Sequence, residues 1–131
     1  MEEIAKTDKY TAMVDKGKNR LYLTLKGYWK GPEEVPNYVR DMEKASKALR
    51  QGFTILTDMR EFITPPPSLS AVHENAQKAL VSRGLDRVAE VIPEKALMKL
   101  LLKRYAKSSQ MKKMEFGSIK EAEAWLDSPG N

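Results

Sequence analysis

Residues 53–72 read FTILTDMREFITPPPSLSAV. The run over 53–59 lacks the alternation of a strand with one wet face, as expected of a central strand covered on both sides. It ends at Asp58, charge follows as Arg60 and Glu61, and Pro65, Pro66 and Pro67 form a stiff linker into Ser68, Leu69 and Ser70. A helix is predicted over about 68–83, with Leu69, Val72, Ala76, Ala79 and Leu80 inward and Gly84 as its end signal. A strand followed by a helix, repeated along a chain, builds a mostly parallel sheet.

Working outward, 10–15 and 20–28 are predicted as two strands joined by a turn, KGKN, whose Gly17 and Asn19 tolerate positive φ. Leu21, Leu23 and Leu25 alternate with Tyr22, Thr24 and Lys26, which buries one face. Gly31 and Pro32 open a helix with Glu33 and Glu34 near its positive end. Val35, Tyr38, Val39, Met42, Ala45, Ser46 and Leu49 fall on its inner side, and Gly52 stops it. A strand over 87–92, a helix from Pro93 through about 108 and a strand over 111–116 follow. Ser118 and Glu121 read as a capping box for a last helix that buries Ala122, Trp125 and Leu126. The expected fold is α/β: one mixed, mostly parallel five-stranded sheet with an N-terminal antiparallel hairpin and four helices. It forms a single domain, with residues 1–8 and 128–131 as loose termini.

The 131 residues suit one domain, and 41% hydrophobic content suffices for a core. Cysteine is absent and His73 is the single histidine, which excludes disulfides, thiolate metal sites and cysteine nucleophiles. No cofactor and no metal site is expected. MEEIAKTDKY has no signal-peptide core, and no apolar stretch is long enough to span a bilayer, so the expectation is a cytoplasmic protein. The net charge of +5 is concentrated: Lys95, Lys99, Lys103, Arg104, Lys107, Lys112 and Lys113 lie together without an acid among them. Removing those seven from 23 basic residues leaves 16 against 18 acids, so the remainder of the chain is slightly negative.

LYLTLKGYW (21–29), ILTDMREF (55–62), VAEVIPEK (88–95) and MEFGSIKEAEAWLD (114–127) occur in an order and spacing that resembles the STAS-like, anti-sigma-factor-antagonist-like (SpoIIAA-like) domains over roughly residues 10–127. The resemblance implies a layered β-α fold shared with lipid-carrying Sec14-like domains, and a regulatory or binding role rather than catalysis. The anti-sigma antagonists carry Asp-Ser-Ser-Gly with a phosphorylated serine after the central strand. Here Met59, Arg60 and Glu61 follow Asp58, so the acceptor serine and the glycine are missing at that place.

Three places draw attention as sites. Asp58, Arg60, Ser68 and Ser70 could hold an anion where a strand end meets a helix N-terminus; equally, a serine caps the helix and Asp58 pairs with Arg60. Thr64, Ser68 and Ser70 are displaced phosphoacceptor candidates. The third helix carries Lys95, Lys99, Lys103 and Lys107 at a spacing of four, with Leu100 beside Arg104 and Lys107, opposite a core face of Met98, Leu101, Leu102 and Tyr105. An apolar residue among cations suits an anionic membrane surface or an acidic protein partner. Nucleic acid is disfavoured because the stripe has no interleaved aromatics. His73 reads as a half-buried helix histidine, and Tyr28 and Trp29 as edge packing. The leading expectation is a non-catalytic interaction module that docks a protein partner or forms a homodimer. The runner-up is a carrier or sensor of a small apolar or anionic ligand, such as a lipid, held between a helix and the sheet. An enzyme using Asp58 and His73 comes third.

Overall fold

Leu21, Leu23 and Leu25 all point to one side of strand β3 (Arg20–Gly27) and are buried there with Ala12 and Val14 of β2 (Tyr10–Asp15). A computed structural model of the chain describes residues 1–104 and 112–128, with the backbone alone over 100–104. The remaining strands are β1 (Glu2–Lys6), β4 (Thr54–Phe62), β5 (Arg87–Val91) and β6 (Lys113–Phe116), and the six lie side by side in chain order. The β1–β2 and β2–β3 pairs are antiparallel, whereas β3–β4, β4–β5 and β5–β6 are parallel. Helices α1 (Tyr38–Lys47), α2 (Ser70–Ser82), α3 (Glu94–Arg104) and α4 (Ile119–Asp127) supply the crossovers and the C-terminal cover.

The sheet therefore has six strands, not five. Residues 1–8 are not a loose arm: β1 pairs with β2 and buries Ile4, the apolar centre of an otherwise charged segment. The first helix also differs. Pro36 has no N–H and disfavours helical geometry at Val35, so Pro32–Glu34 make only a 3-10 turn before α1 begins at Tyr38. Tyr38, Met42, Ala45 and Ser46 form the buried stripe of α1. Ser68 lies within a second 3-10 turn, Pro67–Leu69, and neither it nor Ser70 caps α2 with its side chain. Ser118 does cap α4, accepting the Glu121 N–H at 3.2 Å. Met98 is 61% exposed rather than part of the core, because Leu97, one residue earlier, turns toward Gly117 before α4.

Two cores result. On one face α1 and α2 bury Leu23, Leu25, Phe53 and Ile55. On the other, Ala122 and Leu126 of α4 cover Leu56, Ala89 and Val91. Adjacent residues of β4 and β5 thus serve opposite cores, which is why the central strand shows no alternation in the sequence. A bulge near the end of β4 breaks the period: Thr24 pairs with Asp58 but Lys26 with Glu61, so Met59 and Phe62 both turn inward. Gly84 ends α2 at φ +97, with its N–H on the Val81 carbonyl (3.0 Å) and the Leu85 N–H on the Leu80 carbonyl (3.3 Å). This is a Schellman cap. A side chain at Gly84 would also strike Gln51, whose Cα would lie 3.1 Å from it.

Candidate functional site

The helix α2 leans on α1 and comes less close to the strands than α1 and α4 do. Its inward positions are Ala76 and Leu80, with the long Gln77 beside them, and a small residue at Ala76 leaves space beneath. A cavity of about 540 Å³ fills that space. Its floor is Ile55 and Thr57 of β4 with Val88 and Glu90 of β5, which pair as Ile55↔Val88 and Thr57↔Glu90. His73, Ala76 and Leu80 form the α2 wall, Tyr38 and Phe62 close one end, and Asp86, Lys112 and Lys113 stand at the other parts of the rim.

Tyr38 is buried, and its hydroxyl makes no hydrogen bond to a described residue. The same holds for the Thr57 hydroxyl, also buried, on the floor. His73 stacks on Trp29 with centroids 5.4 Å apart and planes 12° from parallel, and meets the rings of Tyr38 and Phe62 edgewise. Its Nε2 is buried and has no hydrogen-bond partner. Burial alone lowers the pKa of His73 below its ordinary value of 6.5. Because the folded value is the lower one, folding is fully favoured above pH about 6.5 and weakens as pH falls toward the folded pKa. The urea midpoint should therefore drop between pH 7.5 and pH 5, and His73→Phe, which keeps the stack, should remove part of that drop. An unchanged pH dependence in the variant would show that His73 carries none of it.

The sites expected from sequence are placed otherwise. Asp58 and Arg60 are brought together: Arg60 Nε and Nη2 donate to the two Asp58 oxygens at 3.0 and 2.9 Å, and the Arg60 N–H adds a third bond at 3.1 Å. The guanidinium holds the Asp58 carboxyl below the usual carboxylate range. Asp58 follows Leu56 at a spacing of two and so faces the α4 side, away from α2 and the cavity. Thr64, Ser68 and Ser70 are exposed, with no hydrogen bond to Asp58 or Arg60. Asp58 and His73 therefore stand on opposite faces and form no catalytic pair. Lys95 and Lys99 are exposed on α3. The side chains of Leu100, Lys103 and Arg104, and all of Lys107, lie outside the described residues.

The sequence reading missed the ring cluster around Trp29, which is fully buried rather than edge packing. It also missed two buried arginines. Arg20 donates to Thr54 Oγ1 at 2.9 Å, to Glu123 at 3.1 Å and to Asp127 at 3.0 Å, tying β3 to α4. Arg87 reaches the last carbonyls of α4 from β5. Glu90 carried a signal that could have been noticed: an acid in the middle of VAEV, two residues from Val88, on a strand that needs apolar residues on both faces. Among the described residues, no helix is long and apolar enough to cross a membrane, and no group of three His, Cys, Asp or Glu could hold a metal. No protein-family model, curated protein or solved structure matches the chain. What the cavity can do therefore rests on its own geometry.

Proposed function

We propose that this chain is a non-catalytic binding domain that holds a small, mainly apolar molecule between α2 and the sheet, as a carrier or sensor. The observation that supports this reading is the cavity of about 540 Å³, within the size range of small-molecule sites and walled mostly by side chains such as Ile55, Ala76, Leu80 and Val88. It reverses the order of the two expectations drawn from sequence. The hairpin followed by strand–helix alternation is what the STAS-like and Sec14-like resemblance implies, and the proposal keeps that kinship. Docking of an acidic protein or membrane on the lysine stripe is a second reading, supported by the exposure of Lys95 and Lys99 one turn apart.

The test is binding of N-phenyl-1-naphthylamine, an uncharged apolar dye that brightens on leaving water. Saturable binding to the wild-type chain is expected. Val88 is half-buried on the floor, so Val88→Phe should extend into the space and weaken the dye at least about tenfold while leaving the melting temperature nearly unchanged. Absence of saturable binding, or equal binding to a folded Val88→Phe variant, would reject the reading.

A further inference from the structure

The charges and hydroxyls around the cavity narrow the chemistry of its occupant, granted the binding role proposed above. Five charged residues border the space: Asp86, Arg87, Glu90, Lys112 and Lys113. Each has an opposite charge or a fixed set of acceptors already. Glu90 sits 3.6 Å from the Lys113 ammonium, and Asp86 lies 3.3 Å from Arg87 Nε and 3.9 Å from Lys112 Nζ. Arg87 spends its two terminal nitrogens on carbonyls of Trp125, Leu126 and Ser128, on the far side of the sheet. Three cations thus face two carboxylates, and the surplus charge stands at the solvent-exposed rim, where Lys112 shares Asp86 with Arg87, rather than inside the space.

The end bounded by Tyr38, Thr57, Met59, Phe62 and His73 has Glu90 beside it, the strand partner of Thr57, and that carboxylate is already held 3.6 Å from the Lys113 ammonium. This end offers two hydroxyls, Tyr38 and Thr57, without partners in the described chain. His73 is held neutral near pH 7 by burial, so it adds no positive charge there. A carboxylate pushed into this end would leave water and face Glu90 with no counter-ion of its own, and an ammonium would have to displace Lys113 from Glu90, so both are unfavourable. An alcohol, ketone or amide group would instead meet hydroxyls able both to donate and to accept. We infer that the cavity selects an uncharged molecule with an apolar body and one hydrogen-bonding head, the head lying between Tyr38 and Thr57.

Competition against bound N-phenyl-1-naphthylamine tests this with three probes of equal chain length: 1-nonanol, nonanoate and nonylamine. At pH 7.5 nonanol should displace the dye at least about tenfold more effectively than either ion. The Tyr38→Phe, Thr57→Val double variant should lose about tenfold more in nonanol affinity than in affinity for the dye, which has no hydroxyl head to lose. Nonanoate or nonylamine competing as well as nonanol in the wild type would overturn the neutral-head inference and leave the binding cavity standing. A folded double variant that loses no more affinity for nonanol than for the dye would overturn the placement of the head. Failure of the dye itself to bind refers back to the binding role, so the two readings fail separately. Should the double variant not fold, Tyr38→Phe alone carries the second arm, with a smaller loss of about threefold to fivefold expected.

Discussion

Trp29→Ala should lower the unfolding free energy by about 4 kcal/mol, the upper part of the range for emptying a core of a large aromatic ring. Trp29 is 0% exposed and sits among Tyr10, Tyr38, Phe62 and His73, with ring centroids 5.1 to 6.0 Å away. Its indole N–H donates to the Lys26 carbonyl at 3.1 Å, so the one polar atom is satisfied. These rings come from β2, the segment after β3, α1, β4 and α2. One side chain thus fastens five parts of the chain that are distant in sequence, and alanine leaves a hole that none of them can fill alone. Urea titration of the variant measures the effect; a loss under about 1 kcal/mol would mean the cluster collapses freely around the gap. Trp29→Phe should lie between the two, because it keeps the ring contacts but gives up volume and the bond to Lys26. Since His73 stacks on Trp29 and also walls the cavity, the alanine variant should lose dye binding along with stability.

Arg87→Met is the second large effect, with an expected loss of about 3 kcal/mol. Arg87 starts β5 on the face toward α4 and is only 9% exposed. Nη1 donates to the Trp125 carbonyl at 3.2 Å, and Nη2 donates to Leu126 and Ser128 at 3.1 and 2.9 Å. The guanidinium carbon also lies 4.8 Å from the centre of the Trp125 ring. Helix carbonyls at a C-terminus have no partner within the helix and form its negative end, so a cation that bonds several of them acts as both cap and counter-charge. Methionine keeps much of the stem and removes the head. Arg87→Lys should recover less than half of the loss, because a single ammonium cannot span carbonyls from three residues. Chemical denaturation gives the energy, and hydrogen exchange gives the place: amides of α4 should exchange at least tenfold faster while those of α1, on the other face, change little. Equal acceleration in both helices would argue that Arg87 supports the whole sheet rather than the α4 end.

The strand–helix order was legible because each element carried its own period or stop signal. Leu21, Leu23 and Leu25 gave the face of β3, Tyr38, Met42 and Ala45 gave the stripe of α1, and Gly84 marked the end of α2. β1 escaped notice because EEIAK buries one large apolar side chain, Ile4, and owes its strand form to hydrogen bonds with β2. Propensity in such a segment is weak, and tertiary pairing decides. The cavity was legible only as the idea of a ligand between a helix and the sheet. Its position depends on how far α2 stands from β4 and β5, a distance that no local pattern encodes. The site expected at Asp58 and Ser70 illustrates the same limit. Both flank one loop in sequence, but the parity of β4 turns Asp58 toward α4, where Arg60 occupies it. Arg20 and Arg87 were unreadable for a related reason: an arginine at the start of a strand looks like a solvated end until a C-terminal helix closes over it.

The first strand has a consequence for how molecules of this protein meet one another. A sheet's outer margin exposes unpaired amide and carbonyl groups that can recruit a neighbour's strand. Here that margin is five residues long, charged at Glu2, Glu3 and Lys6, and kinked where its register shifts between Glu3 and Ala5. Behind it lies β2, YTAMVD, six residues of straighter and more apolar backbone. β1 therefore works as a selvedge, shielding the adhesive strand behind it from fusing with another copy.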